Sequence, residues 1–190
     1  MNHLATSKED ILAASRDLIK ENGWAAVSIR AVASRCSVSA GTIYNYYESK
    51  ADLLSDTIES IWHEIFFHPE DEQIFHDVES CISWIYERLE YGNRQFPGFF
   101  SLHSFGFMRD EKTSGKKRMM KTWGHILNGL CEVLENDPKV RADVFDQEFT
   151  EKKFADILFS LILVSMIRQD YDPSSVLMLV KKTLYVTVQS

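Results

Sequence analysis

Cysteine, proline and long hydrophobic runs are all scarce in this chain of 190 residues, which has 3 Cys and 4 Pro. Because Cys36, Cys81 and Cys131 are odd in number and widely spaced, the sequence indicates neither a disulfide framework nor a zinc site, but buried thiols in a reducing compartment. The longest stretch without a charge or a helix breaker, residues 157–167, is well short of the ~20 apolar residues that a membrane span requires. The first ten residues lack the basic start and apolar core of a signal peptide, so we expect a cytoplasmic protein without a membrane partner.

Strand-like alternation of polar and apolar residues is hard to find, whereas helical periodicity is frequent. No proline interrupts a periodic stretch. The stretches with apolar residues at helical spacing are 8–22, 74–89, 119–134 and 174–188, and residues 150–169 are apolar on nearly every side. Ser7 and Asp10 have the spacing of a capping box before the first helix, and Gly23 is placed to end it. The sequence therefore predicts an all-α protein.

The charge is distributed unevenly along the chain. A net charge of -7 speaks against a nucleic-acid partner, since Lys and Arg supply most of the affinity for phosphate. Through Leu54, however, six cations balance six carboxylates, so the acidic excess lies in the remainder, which also contains all 12 Phe residues. We predict two modules with different tasks, a small one at residues 1–48 and a larger one at residues 49–190.

Residues 27–54 have the pattern of two short helices joined by a tight turn. Ser28 and Ser39 are each placed to cap one of these helices, and apolar residues follow at helical spacing. This is the pattern of a helix-turn-helix unit. Ser49 and Asp52 then have the spacing of a second capping box, which predicts a further helix that links the small module to the large one.

On these residues the chain resembles the TetR family of bacterial transcriptional regulators. The matching runs are Ile-Leu-Ala-Ala in the first helix, Val-Ser-Ala-Gly-Thr-Ile-Tyr at residues 38–44 and Tyr-Tyr-Glu-Ser-Lys-Ala-Asp-Leu-Leu at residues 46–54. Ser37 departs from the glycine common in the family, and Ala40 departs from the usual cation or proline, which removes one possible DNA contact. The resemblance covers roughly the first 55 residues. It implies an N-terminal three-helix DNA-binding domain joined to a C-terminal helical bundle for dimerisation and ligand binding.

The candidate DNA contacts lie in and around the two short helices. Helix N-termini present backbone N–H groups that have no partner within the helix, and hydroxyl, phenol and ammonium groups beside them can donate to phosphate. The side chains with such groups are Ser28, Ser39, Thr42, Tyr44, Tyr46 and Lys50. The resemblance implies that the residues nearest the base edges are Ala40, Gly41, Thr42 and Asn45, with Arg30 reaching from the preceding helix.

Several other residues have simpler interpretations. We expect Tyr47 to be a core residue, and Arg16 and Lys20 to be solvated helix charges. His63 and His68 resemble a zinc-protease signature, but histidines five residues apart lie about 140° apart on a helix, whereas that motif needs them on one face. Phosphate loops and dinucleotide fingerprints are absent from the sequence. We therefore expect neither an enzyme nor a cofactor.

The larger module is rich in aromatic residues, and the resemblance implies an effector cavity there. The candidate lining residues are Trp62, Phe66, Trp84, Phe100, His103, Phe107 and Trp123. Packing of a helical core explains the same residues about as well. Aromatic walls with few charges, together with a hydrogen bond from His103, would suit a flat or apolar, mostly uncharged effector.

These features predict a ligand-responsive transcriptional regulator, in particular a repressor that binds a palindromic DNA operator as a homodimer. Residues 150–169 and the last helix are apolar enough to meet their copies across a two-fold axis. The two recognition helices must then lie about 34–36 Å apart, one turn of DNA. The alternative is a helical protein-interaction adaptor of the same fold that binds no DNA, which Ala40 and the acidic total favour. An enzyme would need an acid-base pair that the sequence does not show.

Overall fold

The computed structural model describes residues 6–66, 75–100 and 114–186, with residues 114–122 described as backbone only. The helices in these ranges are α1 (Lys8–Asn22), α2 (Ile29–Arg35), α3 (Ala40–Tyr44), α4 (Lys50–Phe66), α5 (Val78–Gln95), α6 (Ser114–Asn136), α7 (Glu151–Arg168) and α8 (Ser174–Val180). A 3₁₀ turn, Trp24–Ala26, precedes α2, and a π turn, Lys181–Tyr185, follows α8. The described ranges contain no strand, and the predicted all-α fold is confirmed. None of the helices in those ranges is long and apolar enough to cross a membrane.

The chain divides into two compact units. The first contains residues 1–68 and 92–119, and the second contains residues 69–91 and 120–190. Helices α1 to α4 belong to the first unit, α7 and α8 belong to the second, and α5 and α6 each contribute to both. The predicted boundary after residue 48 separates a DNA-binding task from a ligand-binding task. The division into units does not test this, so the boundary stays a prediction.

The first helix begins and ends where the sequence predicts. Ser7 Oγ accepts a hydrogen bond from Asp10 N (3.1 Å), and Asp10 Oδ2 accepts one from Ser7 N (2.8 Å), which completes the capping box. Gly23 follows the helix with a φ of 77°, a left-handed value that glycine adopts without steric penalty. Ile11 and Ile19 are fully buried, and α1 packs against α2 and α4.

Polar contacts between distant residues hold the second unit together. Asp137 is buried, and its Oδ2 accepts hydrogen bonds from the backbone N of Val78 (2.9 Å) and from the phenol of Tyr185 (2.5 Å). Val78 begins α5, so Asp137 supplies a distant acceptor beside the local cap, in which Asp77 Oδ1 accepts from Ser80 N (2.7 Å). The phenol of Tyr86 lies 2.8 Å from Ser165 Oγ and joins α5 to α7.

The last helix is shorter than the sequence predicts. The periodicity predicts a helix over residues 174–188, but α8 gives way to the π turn, and Val186 is extended with φ -86° and ψ 120°. Arg141 supplies the physical reason. Its backbone N donates to the carbonyl of Leu184 (3.0 Å), and its guanidinium donates to the carbonyl of Thr183 (3.2 Å). A longer helix would need these same two carbonyls as its own acceptors.

Candidate nucleic-acid interface and effector site

Helices α2 and α3 form a helix-turn-helix unit whose turn has a defined backbone geometry. α2 ends in a Schellman motif, in which Val38 N donates to the carbonyl of Ala33 (2.9 Å) and Ser37 N donates to that of Ser34 (3.1 Å). Ser37 has a φ of 56°, in the left-handed region where glycine is the usual residue. The turn therefore forms with serine at this position, at the expense of local backbone strain.

Serine caps begin both short helices, as the sequence predicts. Ser28 Oγ accepts a hydrogen bond from the N–H of the third residue of α2 (3.1 Å), and Ser39 Oγ accepts one from Thr42 N (3.2 Å). Ser39 Oγ also lies 3.0 Å from Thr42 Oγ1. The backbone N–H groups of Ala40 and Gly41 have no acceptor among the described residues. The start of α3 therefore presents donors to an anion such as a DNA phosphate.

The two faces of α3 differ in exposure. Ile43 is 0% exposed and Tyr47 is 3% exposed, so Tyr47 is the core residue that the sequence predicts. Gly41, Tyr44 and Asn45 are exposed. Gly41 and Tyr44, two of the residues predicted to contact DNA, thus lie on the solvent side of this helix, while Ile43 faces inward.

The two tyrosines predicted to contact DNA differ in their hydrogen bonding. Tyr46 is 43% exposed, but its phenol donates to the backbone carbonyl of Thr6. In this conformation its proton is not available to a phosphate oxygen, which needs a donor. Tyr44 is 55% exposed, and its phenol has no hydrogen bond to any residue that the structure describes. Tyr44 is therefore the more accessible phosphate donor of the two.

Four of the six cations in the first 54 residues are neutralised by carboxylates. The pairs are Lys8 with Asp56 (2.6 Å), Arg16 with Glu9 (2.8 Å) and Glu64 (3.0 Å), Lys20 with Glu64 (2.6 Å), and Arg35 with Asp17 (3.8 Å) and Glu21 (2.5 Å). Arg30 and Lys50 are exposed, and neither pairs with a described carboxylate. Because they lie in the first turns of α2 and α4, the helix dipoles add to their positive potential.

Arg16 and Lys20 are not the solvated helix charges that the sequence suggests. Their side chains are only 16% and 31% exposed, and both bind Glu64 of α4. The ammonium group of Lys20 also lies 4.9 Å from the centre of the Phe96 ring, within the range of a cation–π interaction. The expectation was wrong because Glu64 is 44 residues from Lys20 in the sequence, so no local pattern reveals the pairing.

Three predicted effector residues lie in one aromatic cluster of the first unit, which we call the Trp62 cluster: Trp62, Phe66, Phe99 and Phe100. The centre of the Trp62 ring lies 5.6 Å from that of Phe66, 5.5 Å from that of Phe99 and 5.6 Å from that of Phe100. These are the distances of favourable aromatic pairs. None of the four side chains is more than 7% exposed. The four rings therefore pack directly against one another.

The remaining predicted effector residues are described separately. Within the second unit, Trp84 contacts Phe75 with ring centres 5.3 Å apart, and Trp123 contacts a phenylalanine of α7 with ring centres 5.8 Å apart. His103 and Phe107 lie outside the described residues. A ligand-contacting role for the seven candidate residues stays a prediction.

A groove of about 470 Å³ lies between α1 and α4 in the first unit. Its lining residues are Lys8, Glu9, Leu12, Asp56, Glu59, Ser60 and His63. Six of these seven side chains are polar or charged. The groove therefore differs from the aromatic cavity that the sequence predicts for an effector.

The three cysteines are free thiols with little nucleophilic character. Burial raises the pKa of the Cys81 thiol to about 12, and it also raises the pKa of Cys36 and Cys131. Thiols with raised pKa values stay protonated at neutral pH and react slowly. Within the described ranges, no group of three or more His, Cys, Asp or Glu side chains could hold a metal ion.

The helix-turn-helix segment matches proteins of known class. Residues 11–57 match the family model described as "Bacterial regulatory proteins, tetR family". A segment of 48 residues is 38% identical to the HTH-type transcriptional regulator UidR of Escherichia coli strain K12, and it covers 25% of this chain and 24% of that protein. The chain thus matches about a quarter of the length of this curated relative.

Solved structures share the fold over nearly the whole chain. A transcriptional regulator from Rhodococcus sp. Rha1 has a TM-score of 0.68 at 16% identity, and the likeness covers 96% of this chain and 100% of that one. The transcriptional regulator FadR from Bacillus subtilis, in complex with stearoyl-CoA, has a TM-score of 0.64 at 16% identity, with the same coverage. These relatives are described as transcriptional regulators. Residues 11–57 are thus similar to the DNA-binding segment of the tetR family of bacterial regulatory proteins, and the solved structures show that the rest of the chain shares their fold.

Proposed function

We propose that this protein is a ligand-responsive transcriptional repressor that binds a palindromic operator as a homodimer in the cytoplasm. The observation that carries the proposal is the set of phosphate-binding groups in the helix-turn-helix module. The start of α3 has N–H groups without a described acceptor, Tyr44 has an exposed phenol, and Arg30 and Lys50 pair with no described carboxylate. Donors and cations of this kind bind DNA phosphates. A protein-interaction adaptor that binds no DNA would not need these donors and cations.

The proposed DNA contacts are of two kinds. Contacts to phosphate set affinity and register, while contacts to base edges set sequence preference. The phosphate contacts are Ser28, Ser39, Tyr44, Tyr46 and Lys50, and the residues near the bases are Ala40, Gly41, Thr42 and Asn45, with Arg30 reaching from α2. Tyr46 can join the first set only after its phenol leaves the carbonyl of Thr6.

The salt dependence of DNA binding tests this proposal. The probe is DNA selected from a random pool by the wild-type protein, and its affinity is measured by fluorescence anisotropy over a range of KCl concentrations. Lys50→Ala should weaken binding to all sequences and reduce the log-affinity versus log-salt slope by about one unit. Arg35→Gln removes a cation that Glu21 already neutralises, so its slope should match the wild type. Failure to select any DNA, or equal slopes for both variants, would favour the adaptor.

Exposed apolar side chains on α7 and α8 support the proposed homodimer. Ile157, Val164 and Ile167 of α7 are 44%, 46% and 48% exposed, and Met178 and Leu179 of α8 are 57% and 39% exposed. Residues 157 and 164 are seven apart, so they share one face of the helix. Apolar residues at this spacing are typical of a helix that packs on a partner. A two-fold pairing of these helices would cover them.

The oligomeric state of a single variant tests the dimer. Val164→Glu places a charge within the exposed apolar stripe, and we expect monomers by light scattering together with loss of operator binding, since one half-site offers too few contacts. The control is Lys152→Glu, which introduces a glutamate on α7 at a position about 120° around the helix axis from residue 164. This variant should leave the dimer intact. A wild-type protein that is monomeric at micromolar concentration would contradict the proposal.

Effector binding would act on the proposed repressor by shifting its population between two arrangements. FadR of Bacillus subtilis, a protein of the same fold, holds stearoyl-CoA, which supports a ligand-responsive mechanism here. A change in DNA affinity of about 5- to 150-fold needs only about 1–3 kcal/mol of preference for one arrangement. By reciprocity, operator DNA must weaken effector binding by the same factor, which the tryptophan fluorescence of the protein can report. Equal effector affinity with and without operator would exclude this coupling.

A further inference from the structure

The hydroxyl groups of Ser39 and Thr42 form a hydrogen-bonded pair at the start of α3. Their oxygens lie 3.0 Å apart, and either hydroxyl can donate to the other. Ser39 Oγ also accepts a hydrogen bond from Thr42 N (3.2 Å). Neither hydroxyl has a further hydrogen bond to a residue that the structure describes. One of the two hydroxyl protons is therefore used between these residues, and only the other is available to DNA.

The hydrogen-bonded pair has two possible states, because each hydroxyl has one proton and two lone pairs. If Ser39 donates to Thr42, the proton of Thr42 is free, and Ser39 is only an acceptor toward DNA. If Thr42 donates to Ser39, Thr42 Oγ1 and Thr42 N together use both lone pairs of Ser39 Oγ, and the proton of Ser39 is free. Thr42 is then only an acceptor toward DNA.

A phosphate beside Ser39 selects the second state. Phosphodiester oxygens accept hydrogen bonds but do not donate them, so their contact with Ser39 requires a free proton on its hydroxyl. Ser39 is exposed, whereas Thr42 is half-buried. In this state the two hydrogen bonds that Ser39 Oγ accepts also polarise its O–H group and strengthen it as a donor. Phosphate contact at Ser39 therefore leaves Thr42 as an acceptor.

We infer that Thr42 accepts a hydrogen bond from a base amino group in the major groove, and that Ser39 is the positioning residue that fixes this preference. The inference rests on the proposed function, in which Ser39 contacts a phosphate and Thr42 lies near the bases. Each base pair presents one amino group in the major groove, N6 of adenine or N4 of cytosine. A carbonyl oxygen replaces it when adenine is exchanged for guanine, or cytosine for thymine. Thr42 rejects that oxygen, because neither group then supplies a proton.

Base exchanges in the selected DNA test the inference. The relevant base pair is the one at which Thr42→Val, a change of nearly equal shape that removes the hydroxyl, relaxes the sequence preference. In anisotropy titrations, the wild-type protein should bind DNA with the carbonyl at this pair about tenfold more weakly than DNA with the amine. For Thr42→Val this ratio should be about one.

Base analogues isolate the amino group itself. At the same pair, adenine is replaced by purine or cytosine by 2-pyrimidinone, each of which lacks only the amino group. The affinity of the wild-type protein should fall about fivefold, as expected for one lost hydrogen bond, and that of Thr42→Val should not change. Weaker base pairing of the analogue affects both proteins equally. A 7-deaza analogue, which removes the N7 acceptor of the purine in that pair, should leave wild-type affinity unchanged.

Variants of Ser39 separate its positioning role from its capping role. Ser39→Asn keeps a side-chain oxygen that caps α3 and accepts from the Thr42 hydroxyl, so the tenfold ratio should persist. Ser39→Ala removes this acceptor and frees the proton of Thr42, so the ratio should fall toward one. The ratio is the readout, because loss of the phosphate contact or of the cap weakens binding to both DNAs equally.

Four results would overturn the inference. They are an unchanged wild-type affinity after removal of the amino group, a loss with the 7-deaza analogue, a full tenfold ratio in Ser39→Ala, and a Thr42→Val variant that relaxes no position. In each of these cases the wild-type protein still binds its selected DNA, so the proposed function stands. If the wild-type protein selects no DNA at all, the proposed function fails and the inference fails with it.

Discussion

Replacing Gly41 by alanine should make the free protein more stable and its DNA complex weaker. Gly41 is the second residue of α3, and a Cβ built on it would meet only Ser39 Oγ, at 3.6 Å, an ordinary van der Waals distance. Its φ is not positive, unlike those of Gly23 and Gly98. Neither space nor backbone conformation therefore requires glycine at this position. A close approach of the α3 backbone to DNA would require glycine here, because glycine has no Cβ to hold the backbone away.

Both effects have magnitudes that can be measured. Glycine-to-alanine changes at compatible positions stabilise a protein by about 0.4–1 kcal/mol, which for a chain of this length raises Tm by about 1–4 °C. In the complex, the added methyl group would hold α3 away from the groove. The loss of a base contact costs about 1–3 kcal/mol, so DNA affinity should fall by about 5- to 150-fold.

Thermal melts followed by circular dichroism and anisotropy titrations with the selected DNA measure the two effects. Gly129→Ala is the matched control, because a Cβ at Gly129 of α6 meets nothing within 4 Å. That variant should gain similar stability and bind DNA like the wild type. If Gly41→Ala binds DNA with unchanged affinity, the backbone at this position does not approach the bases. That result would refute the proposal that α3 places Gly41 near the base edges.

Three further perturbations test the fold. Ser37→Gly relieves the left-handed strain at the end of α2 and should raise the free energy of unfolding by about 0.5–1 kcal/mol, whereas Ser37→Ala should give no gain in the same urea titration. Gly92→Ala brings a Cβ within 2.6 Å of Ile65 Cδ1. Overpacking costs about 1–3 kcal/mol and alanine restores about 1 kcal/mol of helix propensity, so the free energy of unfolding should fall by about 1 kcal/mol. A stabilised variant would show that α4 and α5 are less tightly packed. The hydrogen bond from Lys139 chiefly holds the pKa of Asp77 at about 2, below its ordinary 3.8. Because that pKa is depressed, the stabilisation is complete above pH 4 and is lost as the pH falls toward 2. The stability deficit of Lys139→Met should therefore shrink over this window, and a deficit that is constant with pH would exclude the linkage.

The start of a helix could be predicted from the sequence where its capping residue lies next to the helix in the chain. Ser7, Ser28, Ser39 and Ser49 each stand at a cap position, and each oxygen accepts a bond from a backbone N–H three residues on. Such a cap is a local interaction, so its spacing is visible without knowledge of the fold. For the same reason the bounds of α1 agree with the periodicity.

Helix ends that depend on distant residues could not be predicted. The start of α5 has a local cap, because Asp77 Oδ1 accepts from Ser80 N (2.7 Å), but the end of the last helix is set by Arg141, which takes the carbonyl of Leu184. Periodicity describes which face of a helix is apolar, but it does not indicate which distant donor competes for the helix's own acceptors. The fold class was therefore accessible from the sequence, and the end of the last helix was not.

In the candidate DNA-binding site, too, local features could be predicted from the sequence, but pairings between distant residues could not. Composition places six cations in the first 54 residues, but only the fold shows which of them carboxylates neutralise. Glu64 binds Lys20 across 44 residues of sequence, and Asp56 binds Lys8 across 48. The structure thus narrows the cations available for phosphate to Arg30 and Lys50 within the part of this module that it describes. Their contact with DNA stays a prediction.

Helix α4 connects the proposed DNA contacts to the Trp62 cluster. It begins at Lys50, on the DNA-binding side, and its last two turns carry Trp62 and Glu64. A helix of 17 residues is about 25 Å long and bends little, so a displacement at its end is transmitted to its start. Because Glu64 and Asp56 bind Lys20 and Lys8 of α1, and α1 packs against α2, a shift of α4 also moves the helix-turn-helix unit. Under the proposed function, an effector that displaces the Trp62 end of α4 would therefore change the position of both available cations through packed helices and ion pairs of the same unit.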